Sequence, residues 1–105
     1  MRPRKCRKVC LSPHERIFKP AGIPLRRLQV MRLELDELEA LRLADMEHLY
    51  HEQAGELMGL SRATFGRLLQ SAREKVASAL VNGHSILIEA SEENSHIHLS
   101  DEKAD

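Results

Sequence analysis

Aromatic residues make up only 3% of this 105-residue chain, and tryptophan is absent. Single-stranded nucleic acids are held largely by stacking on exposed aromatic platforms, so that mode of binding is disfavoured. Apolar runs fall far short of the roughly 20 residues that a membrane span needs, and no signal-peptide pattern is visible, so a cytoplasmic protein is expected. Cysteine is limited to Cys6 and Cys10. Two thiols in a cytosolic chain do not suggest a disulfide scaffold. Net charge is also missing, at zero, which at first counts against a polyanionic partner.

The distribution of charge reverses that impression. Residues 1–32 carry ten Lys/Arg and one acid, and residues 33–60 carry one and eight. Residues 61–83 carry four and one, and residues 84–105 carry one and six. Positive charge is therefore concentrated at the N-terminus and in one internal segment, where a phosphate backbone would be met.

That internal segment lies within Tyr50 to Leu80, which reads as a short helix, a tight turn and a longer helix. Ala54, Met58 and Leu60 are apolar, and Gly55 is small where two helices would cross. Gly59 reaches left-handed backbone angles without a Cβ clash and ends the first helix. Ser61 follows as the N-cap of the second, a role whose loss to Ala costs about 0.5–2 kcal/mol. Phe65, Leu68, Leu69, Ala72, Val76, Ala79 and Leu80 form one apolar stripe at helical spacing, expected to be buried. The opposite face carries Ala63, Arg67, Gln70, Ser71 and Glu74, with Arg62 in the first turn. Ala63 and Gly66 permit close approach, while Arg67 and Gln70 are of the types that pair with guanine and adenine edges. The plainer alternative is a helical hairpin whose polar side is merely solvated. The coincidence of turn, cap, small crossing residue and basic front favours DNA.

Elsewhere the chain yields a coarser outline. Residues 1–16 read as a basic arm in which Arg2, Arg4, Lys5, Arg7 and Lys8 would meet phosphates, or else as a solvated leader. Cys6, Cys10 and His14 could contribute to a metal site. Their C-x3-C spacing is not the usual knuckle and no second cysteine pair closes the site, so no metal and no cofactor is expected. Pro20, Gly22 and Pro24 exclude a regular helix or a central strand over 17–25. Leu28–Leu35 alternates as a strand, and Ile86–Ile88 after Asn82-Gly83 is the one segment expected to pair with it. Asp36 with Glu39 fits a capping box opening a helix, and Asp36, Glu37 and Glu39 read as a solvated face. No nucleophile or Gly-rich loop accompanies these acids, so no enzyme is expected. Residues 91–105 are polar and acidic and are expected to be disordered.

The form E-x-A-x-x-M-G-x-S-x-x-T-F from Glu52 onward resembles the helix-turn-helix of region 4 of bacterial sigma factors. Over residues 2–90, the runs CRKVC (6–10), FKPAGIPL (18–25), LDELEALRLAD (35–45) and GLSRATFGRLLQSAREKVASALVNG (59–83) resemble a family of small prokaryotic proteins of unknown function. That family is described as DNA-binding by prediction, and some relatives carry an extra domain similar to those of iron–molybdenum cofactor biosynthesis. Tyr50-His51 depart from the Ser or Thr that the pattern favours as a cap, and Gly55 replaces the more common Ala.

The expectation is a mainly α domain over 17–90, a sigma region 4-like helix-turn-helix with a small two-stranded sheet, preceded by the arm. It would bind double-stranded DNA as a transcriptional regulator. Arg62, Ala63, Gly66, Arg67 and Gln70 would face bases, and Ser61, Thr64, Arg73 and the arm would meet phosphates. One such domain reads few base pairs, so a second copy or a partner protein is expected. The alternatives are a module that docks a regulator or polymerase subunit, and a metal- or redox-responsive regulator using Cys6 and Cys10.

Overall fold

The computed structural model describes residues 16–89. The basic residues 2–8, the cysteine pair with His14, and the acidic stretch 91–105 lie outside them. In order, the elements are β1 (Arg16–Phe18), a 3-10 turn (Leu25–Arg27), β2 (Val30–Glu34), α1 (Leu35–Leu41), α2 (His51–Met58), α3 (Arg62–Asn82) and β3 (Ser85–Glu89). Helix α1 runs on as a π turn, Arg42–Met46. The domain is mainly helical with a small sheet, as the periodicity implies.

The sheet has three strands in the order β1-β3-β2, not the two expected. Strand β3 pairs parallel with β2, Met31 opposite Ile86 and Leu33 opposite Ile88, which is the pairing the apolar runs predict. The addition is β1, antiparallel to β3 with Ile17 opposite Leu87. Arg16, assigned by sequence to the arm, thus belongs to the sheet. Pro20 stops β1 after three residues but does not prevent an edge strand, where one side of the ladder is free.

Helix α1 begins one residue early, at Leu35, so its capping pair is Glu34 and Glu37 instead of Asp36 and Glu39. The Glu34 backbone N–H donates to Glu37 Oε1 at 2.9 Å. This shift turns the acids inward. Asp36, Glu37 and Glu39 are buried, contrary to the solvated face expected of them. Buried carboxylates require partners. Arg42 supplies Glu39 with two hydrogen bonds, at 2.7 and 3.0 Å. Ser71 Oγ and Lys75 Nζ of α3 donate to Glu37 at 2.7 and 2.8 Å. Ser71 therefore faces α1 and does not belong to the open front of α3.

Two apolar clusters lie along α3. Phe65, Leu68 and Leu69 pack with Ala40, Leu43, Ala54 and Met58 of the helices before it. Farther along, Ala72 packs with Leu33, Leu35 and Ile88, with Val76 and Ile86 at the margin. The sheet thus buries the middle of the helix that the hairpin begins. Leu80 departs from the expected stripe. It is 74% exposed, because the sheet ends before the last turn of α3 reaches it.

Between α2 and α3 the chain reverses at Gly59, whose φ of 73° is left-handed, and Ser61 Oγ accepts from the Thr64 N–H at 3.1 Å. Gly55 is the tight point. A Cβ there would lie 2.8 Å from the Leu60 carbonyl oxygen and 3.4 Å from Phe65 Cβ. Helix propensity alone favours Ala at this position, but the crossing with the turn leaves little room for it.

Two outcomes follow from this packing. Gly55→Val adds a branched side chain against backbone and should cost more than about 2 kcal/mol in urea unfolding; an unchanged midpoint would contradict the crossing. Burial alone would raise the Glu37 pKa, but hydrogen bonds from Lys75, Ser71 and the Glu34 N–H, with the Lys75 charge, bring it below its ordinary 4.5. Its contribution to stability is complete above that value and is lost as pH falls through the lower folded pKa. Glu37→Gln should accordingly flatten the acid limb of stability against pH; an unaltered limb would place the acid sensitivity elsewhere.

Candidate nucleic-acid interface

The front of α3 begins at its cap. Ser61 is held in extended backbone by its own side-chain bond, and the residues after it wind outward in helical register. Ser61, Arg62, Ala63, Arg67 and Gln70 are all exposed, with Thr64 and Gly66 partly covered. No segment among the described residues lies over Arg67 or Gln70. Arg67 Nη2 reaches Thr64 Oγ1 at 3.4 Å, and Gln70 Nε2 reaches Glu74 Oε2 at 3.4 Å. Both contacts are long and lie at the surface. They are easily exchanged for a ligand's acceptors.

Close approach is possible where sequence suggests it. Ala63 has only a methyl group, and a Cβ added at Gly66 would meet nothing nearer than His51 Nδ1 at 3.6 Å. The ring of His51 in turn packs edge-on against Phe65, centroids 5.5 Å apart. The first residue of α2 is thereby fixed against the helix whose front is open.

Arg73 is less free than its sequence position suggests. Its Nε donates to Asp45 Oδ2 at 3.1 Å, and its Nη2 donates to Asp45 Oδ1. Asp45 is delivered by the π turn, in which the Glu47 N–H reaches back five residues to the Arg42 carbonyl at 2.8 Å. The turn ends at His48, with a left-handed φ of 61°. Side-on pairing uses one edge of the guanidinium and leaves the Nη1 edge unused. The Arg73 hydrogen bond is the main cause of a lowered Asp45 pKa, slight burial opposes it, and the charges of Arg73, His48 and His51 add to the lowering. Lys75 is engaged with Glu37. Of the four cations of α3, Arg62 and Arg67 are therefore the two without an acidic partner among the described residues.

Sequence reasoning treated Tyr50-His51 only as a weak cap. The cap is provided from the other side, Gln53 Oε1 accepting from the Tyr50 N–H at 3.2 Å. Tyr50 and His51 also border an open cleft of about 570 Å³ whose other walls include Arg62 and Arg73. Two arginines, a histidine and a tyrosine around one concavity make a surface suited to an anion, with Glu52 as the one acid on its wall. The signal in the sequence was their place immediately before the first hairpin helix. Among the described residues, no group of three or more His, Cys, Asp or Glu is arranged to hold a metal ion. No helix there is long and apolar enough to cross a membrane.

The Asp45 carboxyl should titrate below the ordinary aspartate range, and Arg73→Ala should return it toward that range, as read by carboxyl-carbon NMR. An Asp45 pKa indifferent to Arg73→Ala would remove the clasp. Both groups are largely exposed, so the effect on stability should stay within about 1 kcal/mol.

Comparison with known proteins gives a consistent picture. A UPF0251 protein of Desulfosudis oleivorans is 56% identical over 88 residues, covering 84% of this chain and 64% of the relative. One from Prosthecochloris aestuarii is 52% identical over 88 residues, 84% of this chain and 57% of the relative. A third, from Thermoanaerobacter pseudethanolicus, is 50% identical over 88 residues and is covered to 75% of its length. The chain thus spans about three-fifths of the first two relatives. No solved structure matches. The family model described as "Protein of unknown function DUF134" matches residues 1–96, so the chain belongs to the DUF134/UPF0251 family of prokaryotic proteins.

Proposed function

We propose that this domain binds double-stranded DNA through the α2–α3 hairpin and serves as a cytoplasmic transcription regulator, without catalytic chemistry of its own. In this reading α2, the turn and α3 form a helix-turn-helix, and the first half of α3 enters the major groove. The observation that carries it is the exposure of Arg67 and Gln70 on a helix whose rear is fully buried. Arg67 presents a fork of donors suited to guanine O6 and N7, and Gln70 matches adenine N6 and N7. Ala63 and Gly66 let the backbone come close, and Arg62 stands at the helix start beside the phosphates.

Around that reading element, the cleft bounded by Tyr50, His51, Arg62 and Arg73 suits the phosphate backbone. Such contacts fix register without reading sequence. The basic residues 2–8 would add to this sequence-independent attraction.

On a preferred duplex found by selection from a random pool, Arg67→Ala should cost about 1–3 kcal/mol and relax the choice of base at one position. Lys5→Ala should weaken preferred and random duplexes alike and reduce the salt dependence by about one counterion. Equal losses on both duplexes for Arg67→Ala would overturn its assignment to base reading. Absence of binding to any duplex at low salt would overturn the function.

A further inference from the structure

Helix α3 changes character along its outward side. Ala63, Gln70, Glu74, Ala77 and Val81 fall in one row at helical spacing, and Arg62, Arg73 and Leu80 fall in a neighbouring one. The rows are polar and cationic through Glu74 and then wholly apolar. Leu80 and Val81 are 74% and 83% exposed, and Phe18 at the end of β1 is 57% exposed. Phe18 and Leu80 face each other across a hollow of about 220 Å³, bordered by Ala79 and Ile86. Nothing about DNA reading requires these apolar residues, which lie at the far end of the helix from Arg67.

We infer that this end of α3 is the contact between two copies of the chain. A two-fold contact brings the same patch together from both sides, so it must be self-complementary. Phe18, Ala77, Leu80 and Val81 carry no charge, and Lys19 at the rim is occupied by the Ile23 carbonyl at 2.7 Å. The hollow between Phe18 and Leu80 receives an aliphatic side chain of the second copy. The exposed parts of Phe18, Leu80 and Val81 amount to roughly 400 Å² per copy, the size of patch that marks an interaction site. A standard interface buries about 800 Å² per partner. Two free copies therefore associate weakly, and a shared ligand holds them together.

The placement also suits that ligand, a step that rests on the proposed DNA binding. From the middle of the Ala63–Gln70 segment to Leu80 is about 14 residues, or roughly 21 Å at 1.5 Å per residue. Two helices joined at this end hold their reading segments at most about 42 Å apart. Successive major-groove faces on one side of a duplex are about 34 Å apart. Two α3 helices inclined to each other span that distance, so one dimer reads two half-sites a helical turn apart.

Sedimentation equilibrium of the full chain without DNA tests the contact independently of any nucleic-acid binding. Between about 10 and 500 µM the mass should rise from 12.0 kDa toward twice that value. The double variant Leu80→Asp, Val81→Asp alters only exposed positions and should keep its circular dichroism while staying at monomer mass. A wild-type mass constant at 12.0 kDa would mean that the patch is covered within one chain, or is bare, and would overturn the inference. Equal association by the variant would place the contact on another surface and overturn it as well.

Discussion

The domain depends on how one long helix is held from behind. Helix α3 spans 21 residues and carries no continuous apolar face of its own beyond a single stripe. Its first half is buried by α1 and α2 around Phe65, and its middle by the sheet around Ala72. Full burial of one side chain of the size of Phe65 or Leu69 is worth about 1.5–3 kcal/mol. The same anchoring turns Arg67 and Gln70 outward, since residues on one side of a helix cannot be buried without presenting the other. Stability and presentation are two effects of one register.

A polar link ties the two halves together. Glu37 sits at the start of α1, directly after the strand that pairs with β3, and it accepts hydrogen bonds from Ser71 and Lys75 of α3. The carboxylate thereby relates the sheet-bearing part of the chain to the helix that carries the open face. Desolvation would favour its neutral form, but three donors and one cation outweigh that effect. Removing a single donor leaves the rest of the cost in place, which makes such links sensitive to mutation. Asp45 and Arg73 form a looser counterpart near the surface, where solvent screening reduces the energy and leaves mainly orientation.

Much of the hairpin was legible because its signals are local. Gly59 needs left-handed backbone, Ser61 caps the next helix, and Phe65 to Ala72 repeat at helical spacing, none of which requires a distant contact. The pairing of β2 with β3 was legible as well, since two apolar runs had few alternatives. The errors arose where distant packing decided the outcome. Strand β1 is three residues beside a proline, too short for an alternation to show, and is fixed only by its partner. Glu37 reads as a surface acid until Lys75, 38 positions away, is placed beside it. Leu80 reads as core because the helical period continues, although the sheet behind it does not. Arg73 reads as a free cation, and nothing in its neighbourhood of sequence announces Asp45.

The outward face of α3 as a surface for duplex DNA is tested most directly by following backbone amide and arginine side-chain NMR signals as a mixed-sequence duplex is added at low salt. The largest changes are expected at Ser61 to Gln70 and at the Nε of Arg67, with those at Tyr50 and His51 next. The buried signals of Ala72 and Ile88 should remain in place. Changes confined to the sheet, or none at any residue of α3, would contradict the account.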